Sequence, residues 1–154
     1  MKLKSSNTAA ANVRALLPKK VEKYFRKGRV ASNGKRTPTQ LHQFRIATKR
    51  FRYTLEIFRP VYGASLDSYL DTLHDLQHTL GQLSDYRSIG ELLDGDKEIG
   101  AKLQEASGRY LAKFHEQWKQ LDAPGNLEKW QQYLASGNTR TVRSSRNPRK
   151  PAAK

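Results

Sequence analysis

Apolar residues recur every three or four positions along almost the whole chain, and this spacing constrains the fold more than any other feature. The clearest case lies between residues 97 and 121, with apolar side chains at positions 99, 103, 106, 110, 114, 118 and 121. Such spacing places them on one face of an α-helix, and no stretch shows the sustained alternation of a β-strand. The sequence therefore predicts an all-α fold.

Proline, glycine and capping residues set the expected limits of the helices. Pro18 is expected to kink the first helix or to start a second segment, and Gly28 is expected to end it. Thr37 and Gln40 form a capping-box pattern at the start of the next helix. Gly81 is a potential break in the third. The helices are expected over about residues 8–27, 38–59, 65–93, 97–121 and 126–135, the last as a short addition.

Chain length and charge divide the 154 residues into one domain and a tail. Four main helices with mostly short connections predict an antiparallel four-helix bundle over residues 1–137. Residues 138–154 carry six cations, no acid and almost no apolar side chain, which predicts a disordered basic tail.

Composition also excludes several classes of protein. The chain has no cysteine, so disulfides, thiolate metal sites and cysteine nucleophiles are ruled out. No window approaches the roughly 18 apolar residues of a membrane span, and no apolar stretch follows the N-terminal charges as in a signal peptide. We expect a cytoplasmic protein with no membrane partner.

Positive charge is concentrated at the N-terminal side. Residues 1–60 carry 16 basic and 2 acidic side chains, whereas residues 61–137 carry 7 and 12, within a total net charge of +15. A concentrated field of one sign indicates an anionic partner for the first half of the chain. Solubility alone is the alternative interpretation, although scattered charge would serve it equally well.

The second helix carries the most distinctive charge pattern. Its core face is expected to hold Leu41, Phe44, Thr48, Phe51, Leu55 and Phe58. About 120° away lies a basic row, and beyond it a smaller apolar stripe of Ile46, Tyr53 and Ile57 is expected to pack as well. Like charges one turn apart repel, so a multivalent anion would explain the row, while a solvated face partly neutralised by Glu56 is the alternative. The row consists of His42, Arg45, Lys49 and Arg52.

Catalytic and metal chemistry have little support. His74 and His78 are four residues apart, a spacing that can bind a metal, but no third ligand is fixed and a polar outer face is the favoured interpretation. The sequence has no glycine-rich phosphate loop and no metallohydrolase signature, and a phosphohydrolase built on His42 lacks an evident partner. We expect no enzyme activity, no metal and no cofactor.

The residues of the second helix resemble a known family. The run from His42 to Arg52 reads HQFRIATKRFR, and it is followed by LEIFR at 55–59 and LGQLSD at 80–85. These segments are similar to the CHAD family, the conserved histidine α-helical domain, over roughly residues 8–122. The resemblance implies a helical protein that binds inorganic polyphosphate through a basic groove without catalysis. The candidate binding residues are His42, Arg45, Lys49, Arg50 and Arg52, with Lys35, Arg36 and Arg87.

Two departures from the family pattern stand out. The family usually has two four-helix repeats, whereas this chain has room for one, so either a homodimer supplies the second half or the site is a shallower groove. Arg commonly precedes the Asp of the LGxLRD segment, but Ser84 stands there, and Arg87 one turn later is a potential substitute. Association with polyphosphate granules would follow from the polyphosphate interpretation.

Nucleic acid is the main alternative ligand, because so basic a protein binds any phosphate backbone at low salt. Trp118 and Trp130 are expected to be core anchors and not base-stacking platforms, which counts against a dedicated single-strand binder.

Overall fold

The structure, a computed structural model, describes residues 8–137, and all regular elements in that range are helical. The all-α prediction is therefore confirmed, while the predicted tail at 138–154 lies outside the described residues. The elements are α1 (Ala9–Ser32), α2 (Pro38–Ile57), the single turn α3 (Arg59–Tyr62) with a 3₁₀ turn at Gly63–Leu66, α4 (Asp67–Leu92), α5 (Lys97–Leu121) and α6 (Asn126–Ser136).

Five helices of substantial length build the fold, one more than the predicted four-helix bundle has. The additional member is α6, which packs along α1 and buries Trp130, Tyr133 and Leu134. The Trp130 and Phe25 rings lie 6.0 Å apart, and the Tyr62 hydroxyl donates to the Leu134 carbonyl at 2.7 Å. The short helix expected at this position is thus an integral part of the core.

Two helices continue through residues expected to interrupt them. Helix α1 runs through Pro18 and Gly28 to Ser32, and α4 runs through Gly81 without a break. Gly28 is buried because the Trp118 ring fills the space of its missing side chain, and a β-carbon there would lie 2.0 Å from Trp118 Cη2. The glycine therefore permits a close contact between α1 and α5.

The start of α2 is formed as predicted. The Gln40 amide nitrogen donates to Thr37 Oγ1 at 3.2 Å, and the Thr37 amide nitrogen donates to Gln40 Oε1 at 2.8 Å. This reciprocal cap satisfies two of the free N–H groups at the helix start. The cap fixes where α2 begins, and with it the angular position of every later side chain on this helix.

An aromatic cluster holds α2 against α1. The Tyr24 ring stacks on Phe44 at 5.2 Å and on Phe51 at 4.8 Å between centroids. Its buried hydroxyl donates to Thr48 Oγ1 at 3.0 Å, because Thr48 itself donates to the Phe44 carbonyl at 2.9 Å. Burial raises the pKa of the Tyr24 hydroxyl, which keeps it neutral.

The predicted core face of α2 is confirmed. Phe44, Thr48, Phe51 and Leu55 are buried on it, and Leu41 and Phe58 pack against the core at half burial. The positions between them on the helix wheel consequently face outwards. The two tryptophans predicted to be core anchors, at positions 118 and 130, are also buried.

Candidate functional site

A surface groove of about 540 Å³ runs between α2 and α4. Helix α2 contributes three cations to it, and α4 contributes mostly amide, imidazole and glycine surface. We call this feature the basic groove. It is lined by Arg45, Ile46, Lys49, Arg50 and Tyr53 from α2 and by Gln77, His78, Gly81, Gln82 and Asp85 from α4.

The three cations of the basic groove have no ionic partner among residues 8–137. Within residues 8–137, no carboxylate oxygen lies within 4.0 Å of the charged nitrogens of Arg45, Lys49 or Arg50. Arg45 and Lys49 are one turn apart, about 6 Å along the helix axis, and Arg50 follows directly. Asp85 on the opposite wall is the acidic residue of the lining. The groove therefore presents several free N–H donors and a net positive charge.

Arg52, although part of the predicted basic row, is already engaged within the protein. Its Nε donates to Gln77 Oε1 at 2.8 Å, and its Nη1 donates to Glu56 Oε1 at 2.6 Å. The guanidinium also lies 4.7 Å from the centroid of the Tyr53 ring, and only 16% of the side chain is exposed. Arg52 thus links α2 to α4 and does not line the basic groove.

Three more candidates lie at a neighbouring cavity of about 480 Å³ near the start of α2. Arg36, His42 and Arg87 line this cavity, and Arg45 lines both it and the basic groove. Ser84, which departs from the family pattern, lines the same cavity as Arg87. Lys35 is exposed in the loop before α2 and lines neither feature. Six of the eight candidates are thus divided between two adjoining places, with Arg45 at both, whereas Arg52 and Lys35 line neither.

Behind this cavity, Arg36 approaches a half-buried histidine. Arg36 Nη1 lies 3.5 Å from His115 Nε2. Desolvation by burial and the positive charge of Arg36 both lower the pKa of the His115 imidazole. The neutral form of His115 is consequently favoured in the folded protein.

The sequence interpretation missed a second group of cations. Lys20, Lys23 and Lys27 of α1 line a cleft of about 180 Å³ between α1 and α2, together with Arg50. Arg50 therefore borders this cleft on one side and the basic groove on the other. The spacing of the three lysines along one side of α1 was the available signal, but their meeting with Arg50 depends on how α1 and α2 pack.

The second apolar stripe expected on α2 does not pack. Tyr53 is 42% exposed and Ile57 is 72% exposed, while Ile46 is half-buried. Ile46 and Tyr53 line the basic groove, and Ile57 is exposed at the surface. The expectation that packing surfaces flank the basic row on both sides is therefore wrong.

The histidine pair on α4 has no metal-site geometry in the described residues. His74 Nδ1 lies 3.8 Å from Asp75 Oδ1, and His78 lines the basic groove. Across residues 8–137, no three histidine or acidic side chains are grouped closely enough to hold a metal ion. The helices of that same range include none with the length and apolar composition that crossing a membrane requires.

Comparison with known proteins assigns the chain to a family. No curated protein and no solved structure matches the chain. The family model described as the CHAD domain matches residues 2–94, well over half of the chain. The match covers α1 to α4, including both walls of the basic groove, and stops short of residues 95–122, where we expected it to continue. With the helical fold and this match together, the chain belongs to the CHAD family.

Proposed function

We propose that this protein binds inorganic polyphosphate in the basic groove and does not transform it. The observation that carries the proposal is the presence of Arg45, Lys49 and Arg50, without ionic partners, in a groove whose two walls both lie within the CHAD match. The CHAD domain is associated with polyphosphate binding in general. A chain of repeating phosphate oxygens offers charge and shape alone, and a row of cations is a suitable receptor for it.

The groove chemistry supports an extended polyanion. Arginine offers forked donors to phosphate oxygens, and Lys49 adds a compact charge. Gln77 and Gln82 on the α4 wall can donate amide hydrogen bonds to the same ligand. Because Arg50 also borders the α1 cleft, a polyphosphate that crosses Arg50 would next meet the lysines of α1.

The other predicted binding residues have a supporting role in this proposal. Arg36, His42 and Arg87 surround the cavity next to the Arg45 end of the groove and would raise the local positive potential there. Lys35 would do the same from outside the groove. We place the protein in the cytoplasm, with polyphosphate granules as a natural location, and keep a homodimer as a way to supply a second groove.

One observation favours nucleic acid as a second candidate ligand. Tyr53 is exposed at the groove, with Lys49 Nζ 5.7 Å and Arg52 Cζ 4.7 Å from its ring centroid. An exposed aromatic ring beside cations is the arrangement on which single-stranded bases stack. A Tyr53→Leu variant separates the two ligands, because it should weaken binding of single-stranded DNA and leave polyphosphate binding unchanged.

The test of the proposal is the affinity for long-chain polyphosphate of the double variant Lys49→Gln with Arg50→Gln. The matched control is Lys113→Gln with Lys119→Gln, which removes two exposed cations from α5. At about 0.15 M salt, the groove variant should lose about tenfold or more in affinity, and its salt dependence should become shallower by about 0.7 per cation removed. The control should lose about twofold or less.

Two outcomes would reject the proposal. Equal losses in the two double variants would show that only net charge matters. Loss of all binding on truncation after Gly137, with the groove intact, would place the site in the tail. The absence of catalysis is tested separately, since phosphorus NMR of polyphosphate incubated with the protein should show unchanged chain length.

A further inference from the structure

The cavity at the start of α2 differs in chemistry from the basic groove. Its volume of about 480 Å³ lies within the range of roughly 300–1,000 Å³ that small-molecule sites occupy. Leucine side chains from three helices form much of its wall. We call it the apolar cavity, and these leucines are Leu41 from α2, Leu80 and Leu83 from α4, and Leu103 and Leu111 from α5.

The lining also includes three arginines and several neutral polar residues, and no carboxylate. Arg36, Arg45 and Arg87 belong to it together with His42, and no Asp or Glu does. Arg87 Nε donates to Glu91 Oε1 at 3.1 Å, but this pair is exposed on both sides and so is only weakly held. Arg45 has no acidic partner in the described part of the chain. The cavity therefore combines an apolar interior with a positive border.

We propose that the apolar cavity binds a small amphipathic anion, that is, a carboxylate or phosphate head attached to an apolar body. The head would contact the arginines, and the body would lie against the leucines, where burial of apolar surface is favourable. An apolar body suits the leucine wall better than inorganic polyphosphate does, because a phosphate group placed against the leucines would lose water without gaining hydrogen bonds there. The proposal shares Arg45 with the basic groove, but its ligand and its test differ from those of the groove.

The turn between α4 and α5 supports an apolar ligand. Ile89 and Ile99, next to the cavity-lining Gly90 and Gly100, are 40% and 36% exposed, and Leu92 is 83% exposed. Exposed apolar side chains thus adjoin two cavity-lining glycines in sequence, which fits an apolar ligand. The alternative occupant, a second copy of the chain, is an outcome of the test below.

The first experiment compares three probes of equal chain length by calorimetry, all below their micelle concentrations. Decanoate and decyl phosphate carry the two head groups in question, and decyltrimethylammonium carries the opposite charge. We expect one molecule of an anionic probe to bind per chain, and the cationic probe to bind about tenfold more weakly. The preferred anion identifies the head group. Equal affinity for all three probes, or no binding of either anion, overturns the proposal.

Variants locate the binding. Gly100 lines the cavity and a β-carbon there meets no atom within 4 Å, so Gly100→Leu adds an apolar side chain at the cavity wall without a clash and improves helix propensity, which keeps the protein folded. Gly108→Leu, on the same helix and outside the cavity, is the matched control. We expect Gly100→Leu to abolish binding of the anionic probe, Arg87→Gln to weaken it severalfold, and the control to leave it unchanged.

Variants should abolish binding at one site without affecting the other. The Lys49→Gln, Arg50→Gln double variant should bind decanoate normally, and Gly100→Leu should bind polyphosphate normally. If the wild-type protein is instead a dimer that Gly100→Leu converts to a monomer, and neither anion binds, the cavity is an interface between copies and the ligand proposal is wrong.

Discussion

Replacing Gly28 by alanine tests the close contact between α1 and α5. In an exposed helix interior this substitution stabilises by about 1 kcal/mol, because alanine has the better helix propensity. Here the new β-carbon would lie 2.0, 2.3 and 2.5 Å from three atoms of the Trp118 ring. That ring is held by Tyr24, Phe25 and Phe44, with centroids 5.4–6.4 Å away, so it cannot move freely.

The magnitude follows from these two opposing effects. Overpacking of a well-filled core costs about 1–3 kcal/mol, and an overlap this severe with a ring belongs at the upper end. After the gain in propensity, Gly28→Ala should destabilise the protein by about 2 kcal/mol, which lowers the melting temperature by roughly 4–8 °C for a chain of this length.

The control is Gly108→Ala on α5, where a β-carbon meets no atom within 4 Å. It should raise stability by about 1 kcal/mol, so the two variants should differ by about 3 kcal/mol. Urea unfolding followed by circular dichroism and tryptophan fluorescence measures the difference. If Gly28→Ala is as stable as Gly108→Ala, the contact with Trp118 does not exist as described.

Three further predictions concern the site and its surroundings. Arg52→Gln should lower the free energy of unfolding by about 1–2 kcal/mol because it removes the charged hydrogen bonds to Gln77 and Glu56, and urea unfolding would show no change if Arg52 were a free surface cation. Asp85→Asn should increase polyphosphate affinity about fivefold at low salt, since a like charge about 4 Å from a phosphate costs about 1 kcal/mol in water. If calorimetry shows equal or weaker binding, Asp85 does not lie near the bound ligand. The pKa of His115 is lower in the folded protein than its unfolded value of 6.5. The contribution of His115 to the free energy of unfolding should therefore be complete above pH 6.5. It should be lost as the pH falls from 6.5 towards the folded pKa, because the unfolded chain then binds more protons than the folded one. The stability of the wild type relative to His115→Gln, measured from about pH 7.5 to 5.5, should therefore decrease, and a constant difference would contradict the cause assigned to the pKa.

The helices themselves were predictable because their signals are local. Apolar spacing identified every long helix, and the Thr37 and Gln40 cap formed as expected. The expected interruptions at Gly28 and Gly81 were wrong for different reasons. Gly28 is required by the approach of Trp118, a residue 90 positions away in sequence, whereas Gly81 leaves α4 intact because a single glycine weakens a helix without ending it.

The candidate site was predictable as a charged face but not as a set of binding residues. A helix wheel gives Lys49 and Arg52 equal standing, yet Gln77 from another helix engages only Arg52. Likewise, the meeting of Lys23 with Arg50 depends on the packing of α1 and α2. Contacts between helices thus decide which cations are free to bind a ligand. Local sequence patterns do not reveal these contacts.

Competition between long-chain polyphosphate and single-stranded DNA at about 0.15 M salt tests the central claim most directly. At this ionic strength the Debye length is about 8 Å, so loosely held charge on an exposed surface is largely screened. A groove that presents Arg45, Lys49 and Arg50 together should retain polyphosphate and release DNA, and the Lys49→Gln, Arg50→Gln variant should lose this preference. Equal retention of the two polymers by the wild-type protein would contradict a polyphosphate site and favour general binding of phosphate backbones.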